Sequence, residues 1–388
     1  MKNVYIDLRF SFSISKKSGK FNGGNNYTIR VLELLDRNKK DDVKLNLVCG
    51  KSTSKDLESF LNLQNSNYLE LDSLTELYTD INSVLFIPQV NDSNLYAKEL
   101  KNFKRNNKDC KIFVTIHDRR HKDLIYDKYA GALKGGIKSN SIVLGLGRKI
   151  RSYGIDKALK RIAILSDRVF TVSNYSLQRL NSYKDVKSFN FHYVGIDIEH
   201  YFKSDKSSDD FILFVNAGRA EKNFIRALKA FENLKANSKN TIKLIATGLS
   251  DSQIEKIKNS KFCNSKFLEN NVILKGYVEN EELHSLFRNC KLLLFTSLNE
   301  GMGLPVAEAI LCEKPVVASW MSSMPEILGA AGIYVNPLSI ESITMGIERI
   351  LDEDNYKDIK KFIEVQAKIL RERVILDSKI LIYEIFYN

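Results

Sequence analysis

The stretch 291–319, KLLLFTSLNEGMGLPVAEAILCEKPVVAS, leaves the chain few choices. It reads as strand, glycine-bearing loop, short helix and strand. Lys291 to Thr296 is the short apolar run that a strand buried on both faces needs. Ser297, Leu298 and Asn299 break that run, and Gly301 and Gly303 let the backbone come close to another group. Pro305 suits the first turn of a helix, Pro315 stops the helix, and Val316 opens the next strand. Such a corner aims backbone N–H groups and the positive end of a helix at one point, the arrangement that binds phosphate.

Two carboxylates flank the corner, Glu300 before the glycines and Glu308 about one turn into the helix. On residue type alone the plain reading is a loop charge and a solvated helix residue; their place on both sides of GMGLP turns the reading toward two ligand-binding groups. The segment resembles the E-x7-E signature of the retaining, nucleotide-sugar-dependent glycosyltransferases of family four. The similarity runs from Thr296 to the closing SSMPEILGAAGIYVNP and extends through motifs elsewhere to nearly the whole chain. It implies an α/β GT-B architecture: two Rossmann-like domains facing across a cleft, with a C-terminal helix crossing back to the N-domain. On this reading 1–203 is the acceptor domain, 204–370 the nucleotide-sugar domain, and 371–388 the returning helix.

The rest of the chain alternates apolar runs with helical spacing, as a parallel α/β sheet requires. Strands are expected over 3–10, 43–48, 84–87, 111–116, 168–172, 191–194, 241–247 and 271–275, and in DFILFVN. Ligands of such sheets bind beyond the carboxyl ends of the strands, so residues just after each strand matter most. Gly23 and Gly24 precede the helical spacing of YTIRVLELL; they read as a tight turn, or, by the resemblance, as the glycine loop that approaches the donor phosphates and the acceptor. His117 and Asp118 follow KIFVTI. His117 and His121 are four apart, but no third metal ligand is in register, and a loop histidine bonded to backbone is the plain reading. The resemblance implies instead that His117 meets a hydroxyl of the transferred sugar, and that Asp118 orients the loop or contacts the acceptor.

After DFILFVN comes AGRAEKN, where Arg219 and Lys222 stand between a strand end and a helix and can reach a diphosphate. Alone they would be surface charges; the resemblance makes them the pair that neutralises the leaving diphosphate, so no metal is expected. The run Asp352-Glu353-Asp354 closes a helix and reads as solvated. Lys275, Gly276, Tyr277 and Val278 resemble the turn that holds the nucleobase. The resemblance implies that Gly301, Met302, Gly303 and Leu304 supply backbone N–H groups to the donor, that Glu300 holds hydroxyls of its sugar, and that Glu308 holds the ribose. Attack from the front face, the departing phosphate oxygen taking the acceptor proton, follows from the same likeness. Three positions depart from the pattern: Val194 for Asn, Met302 for Phe, and Glu313 for a helix-ending Gly.

Composition sets the partners. With 59 Lys and Arg against 47 Asp and Glu, the net charge of +12 favours polyanions. No nucleic-acid module is recognisable, which leaves nucleotide diphosphates and an anionic membrane surface. The segment 134–161 concentrates Lys134, Lys138, Arg148, Lys149, Arg151, Lys157, Lys160 and Arg161 against Asp156 alone. It reads as a solvated basic helix or as a surface for a membrane or a lipid-linked acceptor. No apolar run approaches the ~20 residues of a membrane span, and MKNVYIDLRF is a strand rather than a signal peptide. A cytoplasmic location, peripheral at the inner membrane face, is expected. Five scattered cysteines suggest neither disulfides nor zinc.

The expected reaction is transfer of a sugar from a nucleoside-diphosphate sugar to an acceptor hydroxyl, with retention, in building a cell-surface polysaccharide or glycoconjugate. The alternative is a non-catalytic glycosyltransferase-like subunit that stabilises an active partner. A phosphorylase or epimerase on the same fold is a third reading.

Overall fold

Runs of large apolar and β-branched residues with no alternation are driven into strands covered on both faces. VLFI, FILF, LLLF and VVAS all do this, every residue of each being buried. The structure is a computed structural model, describing residues 2–11, 23–50, 63, 66–119, 129, 133, 142–183, 185–202, 210–237, 241–260 and 262–387. The chain divides into two units, Met1–Lys122, Leu146–Ile196 and Arg373–Asn388 in the first, Asp123–Gly145 and Asp197–Glu372 in the second.

In the first unit, seven parallel strands are β1 (Lys2–Asp7), β2 (Val43–Cys49), β3 (Asn67–Glu70), β4 (Val84–Ile87), β5 (Lys111–Thr115), β6 (Arg168–Thr171) and β7 (Phe189–Phe191). Their order is β3-β2-β1-β4-β5-β6-β7. Helices α1 (Gly23–Asn38), α2 (Asn94–Asn106), α3 (Ile142–Leu165) and α4 (Asn174–Leu180) connect them. Its core runs from Val48 and Leu85 through Tyr96 and Phe103 to Ile162 and Leu180.

The second unit has β8 (Phe211–Phe214), β9 (Lys243–Ala246), β10 (Val272–Leu274), β11 (Leu292–Phe295), β12 (Val316–Ser319) and β13 (Gly332–Val335), in the order β10-β9-β8-β11-β12-β13. Helices α5 (Phe224–Asn237), α6 (Asp251–Lys258), α7 (Ser265–Asn271), α8 (Asn280–Asn289), α9 (Leu304–Leu311), α10 (Met324–Leu328) and α11 (Ile340–Leu351) belong to it. Numbered within the unit, this is the doubly wound order 3-2-1-4-5-6, which reverses direction between β8 and β11. Phe214, Phe224, Phe231, Leu292 and Leu294 lie in its core, with Leu133 joining them. The last helix, α12 (Glu353–Tyr387), is a single run of 35 residues, of which those from Arg373 group with the first unit.

Several expectations need correction. Gly23 and Gly24 do not precede the helix; they are its first residues. The strand expected over 191–194 ends at Phe191, because the chain turns there, with Ile196 N–H bonded to the Tyr193 carbonyl. β3 and β13 are further strands: NYLE is a half-exposed edge strand that mixes polar with apolar residues, and GIYV opens on a glycine at the other sheet's edge, so neither shows the continuous apolar run of β4, β8 and β11. The expected helix over 371–388 is the far half of α12. Asp352 caps α11, while Glu353 and Asp354 open α12. Among the described residues no helix is long and apolar enough to cross a membrane.

Candidate active site

The winding reverses between β8 and β11, and this topology binds ligands at the carboxyl ends of the strands at such a point. The loop after β8 carries Arg219 and Lys222, and the loop after β11 carries Glu300. The structure brings them together. Lys222 Nζ lies 2.6 Å from Glu300 Oε1, with both side chains almost wholly covered. Ser297 Oγ approaches the same carboxylate oxygen at 2.5 Å, and Lys222 Nζ sits 4.4 Å from the centre of the Phe295 ring. Burial pushes the Lys222 ammonium below the ordinary lysine range, while the Glu300 carboxylate pulls it back up. Arg219 turns instead to Glu221, donating from Nε at 2.6 Å and pairing through Nη2.

The two loops are stitched by groups on which the sequence reading was silent. Leu298 N–H donates to the Glu221 carbonyl at 2.7 Å. Asn223, held at φ 64°, donates from Nδ2 to the carbonyls of Thr296 and Pro337 and receives Arg226 Nη1 at 2.7 Å. Ser322 Oγ accepts from Glu300 N–H at 3.0 Å, and Ser323 Oγ donates to the Glu300 carbonyl. Glu221 and Asn223 lay inside the recognised AGRAEKN run, but nothing in a linear motif says which side chain faces which.

Gly303 precedes α9 with φ 85°, and a Cβ there would stand 2.2 Å from Met324 Cε. Only glycine satisfies both demands. Pro305 follows in the first turn, as expected. Met302 is buried beneath this loop. Since Pro305 has no N–H, donors at this helix start come from loop residues through Leu304. Glu308 lies half-buried in the second turn and helps raise the Cys312 thiol, which burial already pushes up, to about 12.

Lys275–Val278, following β10, is tied to the loop after β9. Gly248 N–H donates to the Gly276 carbonyl and Leu249 N–H to that of Lys275. Lys275 Nζ pairs with Glu282 at 2.6 Å, Tyr277 is exposed, and Val278 is buried. Gly218 was unmarked by the sequence reading, yet a Cβ there would meet Gln253 Oε1 at 2.4 Å and the Gly248 carbonyl at 2.7 Å. The loops after β8 and β9 therefore pass within backbone contact.

In the first unit, His117 and Asp118 follow β5, as expected. His117 Nε2 donates to the Pro88 carbonyl at 3.0 Å, since a carbonyl can only accept. In the neutral ring this leaves the acceptor lone pair on Nδ1. Tyr27, on α1, packs edge-on against His117 with centroids 4.7 Å apart; its hydroxyl meets Thr115 Oγ1 at 3.0 Å and His192 Nε2 at 3.2 Å. Burial holds His192 neutral, its pKa down to about 3. Asp118 is half-buried. His121, Lys134 and Lys138 lie outside the described residues, among which no group of three or more His, Cys, Asp and Glu could hold a metal ion.

Residues 197–368 match the family model described as glycosyl transferases group 1. The serotype-specific mannosyltransferase WbdA of Escherichia coli is 29% identical over 211 residues, 53% of this chain and 23% of that protein. The poly(ribitol-phosphate) alpha-N-acetylglucosaminyltransferase of Staphylococcus aureus is 28% identical over 222 residues, 56% of this chain and 38% of that one. The match thus spans about a quarter of the length of the first of these relatives. Among solved structures, sucrose-phosphate synthase from Thermosynechococcus elongatus superposes with a TM-score of 0.67 at 14% identity, covering 100% of this chain and 99% of that one. Anabaena Alr3699/HepE in complex with UDP and glucose gives 0.67 at 14%, covering 98% of each. At such identity the likeness establishes the fold, which is GT-B.

Proposed function

From a GT-B chain whose residues 197–368 match the group 1 glycosyl transferases, we propose a retaining glycosyltransferase that takes its sugar from a nucleoside-diphosphate donor. The observation that carries the reading is the buried Lys222–Glu300 pair at the switch point of the second sheet, beside Arg219 and beneath a glycine loop opening a helix. Three sources of positive potential converge there, and a diphosphate is the ligand that uses all three. The UDP complex of HepE and the sugar-transferring relatives agree with this.

In the proposed step Arg219 swings from Glu221 to the diphosphate. Lys222 stays on Glu300 and presents its remaining N–H groups to the developing phosphate charge. The start of α9 and the amides of Gly301, Met302, Gly303 and Leu304 take up the rest of that charge, an electrostatic contribution made before reaction begins. The reading needs no metal, so activity should survive EDTA. Glu300 orients hydroxyls of the sugar through Oε2, its other oxygen being held by Lys222 and Ser297. Glu308 accepts from the ribose hydroxyls, and Lys275, Gly276, Tyr277 and Val278 frame the base. Gly23 and Gly24, opening α1, take the donor phosphates and the acceptor. His117 hydrogen-bonds a hydroxyl of the transferred sugar, and Asp118 meets the acceptor. The departing phosphate oxygen takes the acceptor proton, giving retention without a glycosyl–enzyme adduct.

The relatives' names suggest a surface polysaccharide or glycoconjugate as the product. We assign a peripheral, anionic-membrane location to the outward face of α3. There Lys149, Arg151, Lys157, Lys160 and Arg161 are exposed beside Ile150 and Tyr153, while Asp156 is turned to Arg119 and Tyr183.

Thermal shift with UDP, GDP, dTDP, ADP and CMP tests the donor site. A ligand at 100 times its Kd adds about 2.7 kcal/mol of stability. One diphosphate should raise the wild-type midpoint, and Glu308→Ala should weaken it roughly ten- to a hundredfold, since hydrogen bonds to a charged group contribute about 1.5–3 kcal/mol. No shift with any nucleotide would leave the non-catalytic subunit as the better reading. A sugar adduct seen by mass spectrometry would replace front-face attack with double displacement.

A further inference from the structure

The outer side of α12 carries an apolar seam. Phe362, Ile369, Leu376 and Tyr383 stand seven residues apart, and all are exposed. Val365, Ile380 and Tyr387 fall between or beyond them at helical spacing, also exposed. At 100° per residue these positions share one narrow sector of the helix. The helix already has its inward face, where Ile363, Leu370, Val374, Leu381 and Ile385 are buried. The seam is therefore not required by the chain's own core. Eight of the 22 exposed large hydrophobics among the described residues lie on this one helix, so the seam is not the usual scatter of surface apolar groups.

We propose that the seam binds the same helix of a second copy of this chain, forming a two-fold dimer through a short coiled-coil contact. Large apolar residues recur every seven positions at Phe362, Ile369, Leu376 and Tyr383, with Val365, Ile380 and Tyr387 beside them and Glu372 interrupting the companion row, so one seam faces the same way over several turns, as a helix does toward another helix. The chain itself supplies a partner of that repeat, and a contact between identical surfaces closes on itself. The area is sufficient. Exposures of 38–59% at seven large side chains leave roughly 600 Å² of apolar surface, given about 150–250 Å² for an aromatic side chain. That is most of the ~800 Å² per partner that a standard interface buries, before the flanking residues are added. The exposed flanks, Lys361, Lys368 and Lys379 with Glu364 and Glu372, carry both signs. A mixed rim suits a protein surface and is a poor match for an anionic leaflet.

Sedimentation equilibrium of the full chain from about 1 to 100 µM, a range that brackets micromolar dimers, tests this. The wild type should be a dimer in the upper part of that range. Ile369→Lys with Leu376→Lys should leave a monomer throughout, with unchanged far-UV circular dichroism and, at concentrations below the dimer Kd, an unchanged urea midpoint, because both residues are exposed in the single chain. Phe362→Ser with Tyr383→Ser should weaken the dimer at least tenfold, so the conclusion does not depend on one charged variant folding. Ile150→Ser with Tyr153→Ser, on α3, should leave it unchanged. A wild type monomeric at every concentration, or a dimer that survives both seam variants, overturns the proposal. So does a monomer that binds anionic vesicles through residues 369 and 376, which would make lipid the occupant.

Discussion

At the scale of single residues, the pair with most at stake is Lys222 with Glu300. Taking one partner from a buried ion pair strands the other charge, at a cost of about 3–5 kcal/mol. Glu300→Ala and Lys222→Ala should each lower the urea midpoint of the second unit by that order. The double variant should lose much less than the sum, and an additive result would mean the two side chains do not act as a pair in solution. His192 gives a second test, through pH. Its pKa falls from 6.5 to about 3 on burial, so between those values the unfolded chain holds a proton that the folded chain refuses. Stability from this group is complete above pH 6.5 and falls as the pH drops through the window, by about 1.4 kcal/mol per unit. Urea midpoints at several pH values should show a shallower acid slope in His192→Leu than in wild type; parallel curves would show the ring titrating normally. Strand ends and glycines mark where Glu300, Arg219 and Lys222 stand, but it was the resemblance of AGRAEKN and of the E-x7-E segment that singled them out. That Lys222 would choose Glu300 could not be read, because the pairing crosses 78 residues; that Arg219 would turn to Glu221, only two residues on, could not, because it depends on how the loop after β8 turns.

At the scale of elements, α9 shows how a helix is ended against propensity. Glu313 N–H bonds the Ile310 carbonyl and Lys314 N–H that of Ala309, the Schellman pattern, with Glu313 at φ 52° where glycine is usual. Glu313→Gly should therefore stabilise the second unit by roughly 0.5–1 kcal/mol in urea unfolding, and a loss would mean the Glu313 side chain contributes more than its backbone costs. Gly303→Ala should act the other way, costing about 1–2 kcal/mol for the left-handed backbone alone. It should also weaken nucleotide binding, because its Cβ displaces Met324 and the loop that carries the amides. The helix start and stop were legible from Pro305 and Pro315. The left-handed residue at position 313 was signalled only by its departure from a pattern.

At the scale of the whole molecule, the excess of 12 positive charges is a statement about partners. If the exposed basic face of α3 docks on an anionic leaflet, co-sedimentation with phosphatidylserine vesicles should fall as salt rises. Replacing Lys149, Arg151, Lys157 and Lys160 with Ser should abolish it; unchanged binding in that variant would sink the membrane reading. Each basic residue near such a surface contributes about 1 kcal/mol, so four together change the bound fraction by orders of magnitude.

By itself the sequence determined most of the parallel strands and the corner at 291–319, because apolar runs of strand length, glycines and prolines act over a few neighbouring residues; that the strands form two doubly wound sheets was implied by the resemblance. The sequence did not determine the edge strands β3 and β13, since NYLE mixes polar with apolar residues and GIYV opens on a glycine, and neither shows the continuous apolar run that marked four-residue strands such as β4 and β8. It did not determine the closeness of the loops at Gly218 and Gly248, nor the choice of ion-pair partners. Only the tertiary structure decided these, for each depends on which strand ends the topology sets side by side. The outer seam of α12 lies between the two cases. Its repeat is written in the chain, but only the fold shows which of the helix's apolar faces the core leaves uncovered.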